Sequence, residues 1–482
     1  MPADPLAVLI SRSLEALADQ FSGLPPFETA LAGADDPVRM ADVLDQVAHR
    51  LGDNYPYFHP LYAGQMLKPP HPVARAAYAL AMGINPNNHA RDGGRASSAM
   101  EMEAVAEIAR MFGWIEGQGS YLGHLTSGGT MANLEALWVA GQLSESTRGP
   151  LRILASEQAH YTHSRISHVL KLPFEAIAAD DRGRMRLDAL EDELKKGDVG
   201  TVVATVGTTA IGAVDPLHEI LVLREKYGFR IHVDAAYGGY FRLILEDLGD
   251  EARCAFEAIG QADSIVIDPH KHGLQPYGCG CVLFRDPAVG RFYKHDSPYT
   301  YFTSKELHLG EISLECSRAG AAAVALWATQ KLLPLTPGGE FARGLARGRH
   351  AALELDRRLR TDARFVALGS SFEGPESGHR GHQPDLDIVV WALRGADPGD
   401  SSQRAQKVFE AAGANDLHLA LVQLPQSWFG VSSGERRSLM CLRSVLMKPE
   451  HEAWLPAIWE KLTAACDEVL SSRNRLSDKN LA

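Results

Sequence analysis

The sequence has few cysteines, no surplus of basic residues and no long apolar run, and each of these features argues against a class of protein. Six cysteines in 482 residues, with no CxxC pair, are too sparse for a disulfide framework and indicate a reducing compartment. A formal net charge of −12 leaves no basic excess for phosphate contacts and argues against nucleic-acid binding. No run of about 18 apolar residues and no N-terminal leader pattern occurs, so we expect no membrane association and a cytoplasmic location.

The composition and length are those of a large globular protein with more than one structural part. Apolar residues make up 45% and charged residues 22%, and 482 residues exceed the usual size of one compact domain. Proline and glycine punctuation, including a break between Pro334 and Gly339, divides the chain into three parts. The sequence therefore predicts an N-terminal helical arm at 1–95, a large domain at 96–335 and a small C-terminal α+β domain at 336–482.

Short apolar runs alternate with helix-like segments between Tyr121 and Phe284. The predicted strands are Leu151–Leu154, Thr201–Val206, Arg230–Val233, Ser264–Ile267 and Cys281–Phe284. Such alternation predicts βαβ crossovers and an α/β fold with a mainly parallel sheet between helices. Because ligands of such sheets bind at the carboxyl ends of the strands, the residues that follow these runs are the ones to inspect.

The run Ser264–Ile267 ends in the polar cluster Asp-Pro-His-Lys-His, whose lysine is Lys271. A lysine buried at a strand end can lose its proton and form a Schiff base with a carbonyl cofactor. The alternative is a solvated surface lysine, which is the common case beside a strand end. Lys271 therefore needs support from the other strand ends.

Asp234 ends the run Arg-Ile-His-Val-Asp, upstream of Lys271. A buried carboxylate at this place can keep a proton on the ring nitrogen of pyridoxal 5′-phosphate (PLP), which that cofactor needs in order to act as an electron sink. The small Ala236, two residues further on, leaves room for a flat ring against the backbone. The alternative is that Asp234 caps the following helix.

The segment Tyr121–Leu134 predicts a strand, a Ser/Gly/Thr turn and a helix. Glycines allow the backbone to approach an anion closely, and the N–H groups at a helix start favour a phosphate. Gly129 and Thr130 are the expected ligands. The turn is neither a GxGxxG fingerprint nor a P-loop, because no lysine follows the glycines. An ordinary helix entry remains the alternative.

Two further strand ends carry polar side chains. His160 follows a predicted strand and could stack on a planar ring, although a lone histidine more often packs or lies at the surface, and Thr209 closes another strand end. A metal enzyme is the rival interpretation of His160 with His163 and of His270 with His272. Neither HExxH nor a Cys/His quartet accompanies these pairs, so no metal is expected. Five strand ends are thus predicted to meet at one crevice.

Four of these motifs together resemble a known family. The boxes Asp-Pro-His-Lys, His-Val-Asp-Ala-Ala, Thr-Ser-Gly-Gly-Thr and Gln-Ala-His are similar to those of the group II PLP-dependent decarboxylases. This family includes glutamate, tyrosine and aromatic amino-acid decarboxylases, and sphingosine-phosphate lyase is a relative. The resemblance runs from about His59 to Pro449. It implies the type I aminotransferase-like fold with a seven-stranded sheet, an obligate homodimer with active sites at its interface, and PLP-dependent decarboxylation of an amino acid.

The resemblance also implies roles for individual residues. Lys271 would carry PLP as a Schiff base, Asp234 would pair with its pyridine nitrogen, and His160 would stack on its ring beside Ala236 and Thr209. Gly129, Thr130 and His270 would hold the phosphate, and Ser317 would reach the phosphate of the partner subunit. The proton donor to Cα would be Tyr299 or Tyr301, for which interface packing is the alternative role.

The expected substrate is tyrosine or a related aromatic amino acid, because His160 at the stacking position resembles the aromatic-type enzymes. Gln65, His89 and Arg91 could equally recognise an acidic side chain, which keeps glutamate and aspartate open. Retro-aldol cleavage of the sphingosine-phosphate lyase type is a further alternative. Arg443 could contact the substrate, although a buried ion pair is the simpler expectation.

Overall fold

The computed structural model describes residues 5–26, 36–91, 93–115, 121–145, 149, 151–294, 313–372, 382–431 and 438–479. Four helices come first: α1 (Pro5–Asp19), α2 (Pro37–Leu51), α3 (Pro72–Met82) and α4 (Arg95–Met111). Helices α2 and α3 begin with proline, and the side chains of Asp36 and His71 accept hydrogen bonds from the backbone N–H groups of Val38 and Val73. Proline at the first position and a side-chain cap explain why these helices start where they do.

A seven-stranded sheet forms the centre of the molecule. Its strands are β1 (Leu122–Thr126), β2 (Arg152–Ser156), β3 (Phe174–Ile177), β4 (Val199–Thr205), β5 (Arg230–Asp234), β6 (Ser264–Ile267) and β7 (Gly280–Phe284). Their order is β1-β7-β6-β5-β4-β2-β3, and only β7 runs antiparallel to its neighbours. The predicted mainly parallel α/β fold is confirmed, and the ends of the five predicted strands differ from those observed by at most two residues.

Both faces of this sheet are covered by helices. The helices between its strands are α5 (Gly129–Glu145), α6 (Thr162–Val169), α7 (Leu187–Leu194), α8 (Leu217–Tyr227) and α9 (Asp250–Ala258), with 3₁₀ helices at Gly239–Asp247 and Ile259–Gln261. A further 3₁₀ helix, Pro287–Phe292, follows β7. Successive residues of β6 point to opposite sides. Ile265 and Ile267 join a cluster with Phe256 of α9, whereas Val266 joins a cluster with Ala136 of α5. Because both faces are apolar, polar groups are left to the ends of the strands.

A smaller antiparallel sheet lies in the C-terminal part. Its strands are β8 (Phe365–Ala367), β9 (Ile388–Leu393), β10 (Ala420–Pro425) and β11 (Ser438–Val445), in the order β10-β11-β9-β8. The accompanying helices are α10 (Gly320–Leu332), α11 (Glu340–Thr361), α12 (Pro398–Ala414) and α13 (His451–Lys479), with a 3₁₀ helix at Gln426–Phe429. Along β9, Val390 belongs to the large core and the fully buried Trp391 to a second core with Leu355. This sheet is therefore sandwiched between two apolar layers.

No helix in the described ranges combines the length and the apolar character that crossing a membrane requires.

A buried carboxylate joins three segments of the chain that are distant in sequence. Glu101 of α4 accepts hydrogen bonds from the Arg318 guanidinium at 2.5 Å, the Asn88 amide at 2.7 Å and the Leu125 backbone N–H at 3.0 Å. Arg318 also donates to the carbonyl oxygens of Leu125 and Asn88. These bonds tie the segment before α10 to α4 and β1, and they fix the position of the neighbouring Ser317.

Replacing Arg318 with methionine would leave the Glu101 charge buried without its cation. We expect Arg318→Met to lower the free energy of unfolding by about 3–5 kcal/mol, the range for breaking one side of a buried pair. Urea denaturation followed by circular dichroism measures the change. Lys195→Met, which removes an exposed pair with Asp192, is the control and should leave the midpoint in place. An unchanged midpoint in Arg318→Met would show that the pair does not hold the segment.

Candidate active site

Eight of the predicted site residues line one cavity of about 300 Å³ at the carboxyl ends of the strands of the large sheet. They are Gly129, Thr130, His160, Thr209, Asp234, Ala236, His270 and Lys271. They follow five different strands, β1, β2, β4, β5 and β6. The parallel arrangement brings them together, because strands that run in one direction end at the same edge of the sheet.

Asp234 is the last residue of β5 and is only 5% exposed. Its Oδ2 accepts a hydrogen bond from His163 Nε2 at 2.8 Å and lies 3.5 Å from the Asn133 amide nitrogen, and its Oδ1 accepts from the Ala236 N–H at 3.1 Å. Burial raises the pKa of Asp234, but the hydrogen bond from His163, the electrostatic interaction with that residue and the charge of Lys271 outweigh it, so the pKa lies well below its usual range. Asp234 is therefore an ionised carboxylate inside the protein.

The alternative role of Asp234 as a helix cap is wrong, because the next helix begins at Gly239 and is preceded by Gly238.

Lys271 is largely buried, since its side chain is 23% exposed, and its Nζ lies 3.1 Å from Asp268 Oδ2. Asp268 is 2% exposed, and His270 Nε2 lies 3.6 Å from the same oxygen. Lys271 is thus not a solvated surface lysine. Its amine is held at the cavity by a buried carboxylate three residues earlier in the chain.

The turn between β1 and α5 is packed closely against the end of β6. A Cβ atom at Gly129 would lie 2.7 Å from Asp268 Oδ2, and one at Gly128 would lie 3.2 Å from His270 Cε1. Only glycine allows this approach. The Ser127 N–H at the turn donates to Glu315 Oε2 at 2.8 Å. A backbone N–H just before α5 therefore already binds an anionic group.

His160 lies on the turn between β2 and α6. Its Nδ1 is 2.5 Å from the Thr162 hydroxyl, and burial lowers its pKa, so the imidazole is neutral at pH 7. Within the described chain, the buried Thr205 Oγ1 and His270 Nδ1 have no hydrogen-bond partner. Both residues line the cavity, which leaves polar atoms available to a bound group.

These features fit PLP. The cavity offers an amine for a carbonyl group, an ionised carboxylate for a ring nitrogen and a helix start for a phosphate. A carboxylate has about four acceptor positions, and three of those on Asp234 are used, so one remains for a further donor.

Of the three remaining predicted residues, one falls in the described part of the chain. Ser317 is exposed outside the cavity, where its Oγ accepts a hydrogen bond from the Asn87 amide at 3.2 Å. Tyr299 and Tyr301 fall in 295–312, outside the described residues.

The expectation of a buried ion pair for Arg443 is wrong, because its partners in the described part of the chain are uncharged. Arg443 is buried, but it donates to Gln65 Oε1 at 3.2 Å and to the Thr209 carbonyl oxygen at 2.8 Å. Its guanidinium forms no ion pair with a carboxylate of the described residues, although the charge of Asp387 acts on it. Arg443 therefore braces the Thr209 turn through a hydrogen bond.

Three of the four histidines of the metal interpretation, His163, His270 and His272, have carboxylate neighbours, and His160 contacts the Thr162 hydroxyl. His163 bonds to Asp234 and His272 Nε2 lies 3.4 Å from Asp387 Oδ2. Among the residues described, no three His, Cys, Asp or Glu side chains form a group that could hold a metal ion.

Sequence reasoning missed Asp268, Asn133 and the role of His163. Asp268 is part of the Asp-Pro-His-Lys box. Its position three residues before Lys271 could have indicated that the two side chains lie close together. His163 stands three residues after His160, so that His160 lies just before α6 and His163 lies in its first turn. Asn133 reaches Asp234 from α5, and nothing in the sequence pattern marks that contact.

The chain matches known proteins over most of its length. The family model for the pyridoxal-dependent decarboxylase conserved domain matches residues 54–365. The L-tyrosine decarboxylase of Enterococcus faecium is 29% identical over 479 residues, which cover 78% of this chain and 76% of that protein. The probable L-tyrosine/L-aspartate decarboxylase of Methanothermobacter thermautotrophicus is 28% identical over 338 residues, covering 68% of this chain and 87% of that protein.

A solved structure shares the fold. The crystal structure of Oryza sativa TDC with PLP and tryptamine superposes with a TM-score of 0.73, at 17% identity, over 97% of this chain and 99% of that one. Since the family model covers well over half of the sequence, and the cavity carries the groups that PLP requires, the chain belongs to the pyridoxal-dependent decarboxylase family.

Proposed function

We propose that this PLP-dependent amino-acid decarboxylase acts on an aromatic L-amino acid, with tyrosine as the first substrate to test. The observation that carries the proposal is the single cavity shared by Lys271, the ionised Asp234 and the glycine turn at the start of α5. Two relatives named L-tyrosine decarboxylase support the substrate class. His160 supports it as well, because it resembles the stacking residue of the aromatic-type enzymes.

We infer the following roles for the cavity residues. Lys271 supplies the amine that binds the cofactor covalently, Asp234 holds a proton on the ring nitrogen, and His160 stacks on the ring. The phosphate contacts are Gly129, Thr130 and His270, Ala236 and Thr209 lie beside the ring, and Ser317 reaches the phosphate in the partner subunit. The neutral imidazole of His160 supports its stacking role, since a cation there would oppose a protonated ring.

Bound PLP supplies an electron sink for the electron pair that stays on Cα when CO2 leaves. Asp234 serves this chemistry because its buried charge favours a protonated ring nitrogen. Asp268 holds the Lys271 amine at the cavity. The proton that Cα receives afterwards is assigned to Tyr299 or Tyr301.

An acidic amino acid is the second candidate substrate. The buried Arg443, which forms no ion pair in the described chain, donates a hydrogen bond to the Thr209 carbonyl oxygen and favours an anionic group nearby. A relative named for both tyrosine and aspartate supports keeping this candidate. Retro-aldol cleavage has no comparable support.

We propose a homodimer that buries an apolar stripe on α2. Met40, Val43, Leu44, Val47 and Leu51 share one face of this helix and are each between 45% and 65% exposed. No residue of α2 is buried, so the stripe has no partner within the described chain. A second copy of the chain, whose Ser317 would enter the shared active site, is the occupant that the family resemblance supports.

The cellular location and the domain boundaries are also proposals. All six cysteines are free thiols, which supports the cytoplasm. We retain the division into 1–95, 96–335 and 336–482.

A substrate panel tests the proposed activity. Purified protein with PLP is given tyrosine, phenylalanine, tryptophan, glutamate and aspartate separately, and CO2 release is measured. We expect the fastest release with tyrosine, and Lys271→Ala should show neither turnover nor the visible absorption of bound cofactor. Faster release with aspartate or glutamate would favour the second candidate, and unchanged turnover in Lys271→Ala would contradict the site.

Gly280 tests the phosphate turn. A Cβ atom at this first residue of β7 would lie 2.6 Å from the Gly128 backbone, so Gly280→Ala must displace the turn. We expect PLP affinity to fall by about 10- to 100-fold, since a misplacement of about 1 Å has that effect at a binding site. Fluorescence titration of the apo-protein with PLP measures it. Gly249→Ala, which meets nothing within 4 Å, is the control. Equal affinity of both variants would remove the turn from the phosphate site.

The dimer is tested at the α2 stripe. Val43→Glu with Val47→Glu places two charges in the proposed interface, and we expect the species to fall from about twice to once the chain mass of 52.4 kDa in sedimentation velocity. Gln46→Glu with His49→Glu adds the same number of carboxylates on the other side of α2 and should remain dimeric. A monomeric unmodified protein would refute the proposed assembly.

A further inference from the structure

His163 is a buried histidine in direct contact with the central carboxylate of the site. It lies in the first turn of α6, has no exposed surface, and its Nε2 is 2.8 Å from Asp234 Oδ2. His160, three residues earlier, lines the cavity, whereas His163 is not among its lining residues and contacts Asp234 instead. One helix start therefore supplies one histidine to the cavity and another to the carboxylate.

A chain of hydrogen bonds fixes the second neighbour of Asp234. His232 Nε2 lies 2.8 Å from Asn133 Oδ1, and His232 Nδ1 lies 2.9 Å from the Ser264 hydroxyl. Burial lowers the pKa of His232 to about 3, so its ring is neutral and can donate from only one nitrogen. Because the Asn133 oxygen accepts from His232, the Asn133 amide nitrogen faces Asp234.

The surroundings of His163 indicate which nitrogen carries its proton. The buried Nδ1 has no hydrogen-bond partner among the described residues. A cationic imidazole would bury an unpaired N–H at this atom, which is unfavourable. The arrangement therefore favours a neutral ring with its proton on Nε2, directed at Asp234.

We propose that His163 is a positioning residue that acts as a neutral hydrogen-bond donor, holding Asp234 ionised and oriented without cancelling its charge. A cation at this place would compensate the carboxylate and weaken its hold on a protonated ring nitrogen. A neutral donor opposes the effect of burial and leaves the negative charge available. This inference rests on the proposed function, since the charge of Asp234 matters to the reaction only when a cofactor ring lies beside it.

Two substitutions separate a neutral donor from a cation. His163→Phe removes the donor and should weaken PLP binding by about 10- to 100-fold, the factor for a hydrogen bond to a charged group. His163→Gln keeps a neutral N–H and should stay within a few-fold of the unmodified protein. PLP binding is measured by fluorescence titration of the apo-proteins, with circular dichroism to verify folding. If His163→Phe does not fold, the smaller His163→Leu carries the same test.

The outcomes decide between the alternatives. Weak PLP binding by both His163→Phe and His163→Gln would overturn the neutral-donor assignment. It would show that a neutral N–H at residue 163 is not enough and that a cation is needed there. Unchanged binding in His163→Phe would overturn the inference altogether. Failure of the unmodified protein to bind PLP would instead refute the proposed function and this inference with it.

A double-mutant cycle shows whether His163 acts through Asp234. In an Asp234→Asn background the charge is gone, so adding His163→Phe should weaken PLP binding no further. A purely structural role of His163 would reduce affinity by the same factor in both backgrounds. That additive result would overturn the proposal.

Discussion

Burying an ionised carboxylate is unfavourable by several kcal/mol unless hydrogen bonds replace the lost water, and Asp234 is such a carboxylate at the end of a central strand. Its hydrogen bonds come from α6, α5 and its own turn, through His163, Asn133 and Ala236. The positions of these elements are therefore coupled to one charge. The role proposed for Asp234 depends on that charge, and the fold supplies the hydrogen-bond donors that stabilise it.

The small sheet is also tied to the site by a carboxylate. Asp387, directly before β9, accepts a hydrogen bond from the Tyr237 hydroxyl at 2.5 Å, and His272 Nε2 lies 3.4 Å away. Tyr237 follows Ala236 and His272 follows Lys271, so the two turns that flank the cofactor position meet at one residue of the C-terminal part. Burial raises the pKa of Asp387 to about 6, which reflects how completely this junction excludes water.

Much of this arrangement could be predicted from the sequence, because β-runs buried on both faces are continuous apolar stretches that end abruptly. For that reason the positions of Lys271, Asp234, His160 and the glycine turn at one edge of the sheet follow from the sequence pattern alone. The contacts of His163, Asn133 and Arg443 could not be predicted in this way. These contacts depend on which helix start or strand lies next to the cavity. That arrangement is set by packing between elements that are distant in sequence. Arg443 shows the limit, since it contacts an amide and a carbonyl oxygen where an acid was expected.

Lys271 is the residue proposed to bind PLP covalently, and the roles proposed for the other cavity residues depend on this assignment. Borohydride reduction of the PLP-loaded protein, followed by proteolysis and mass spectrometry of the peptides, locates the attached lysine directly. We predict a single modified peptide that contains Lys271. Modification instead at Lys68, a buried lysine whose pKa is lowered by burial to about 8, would contradict the assignment and place the cofactor outside the strand-end cavity.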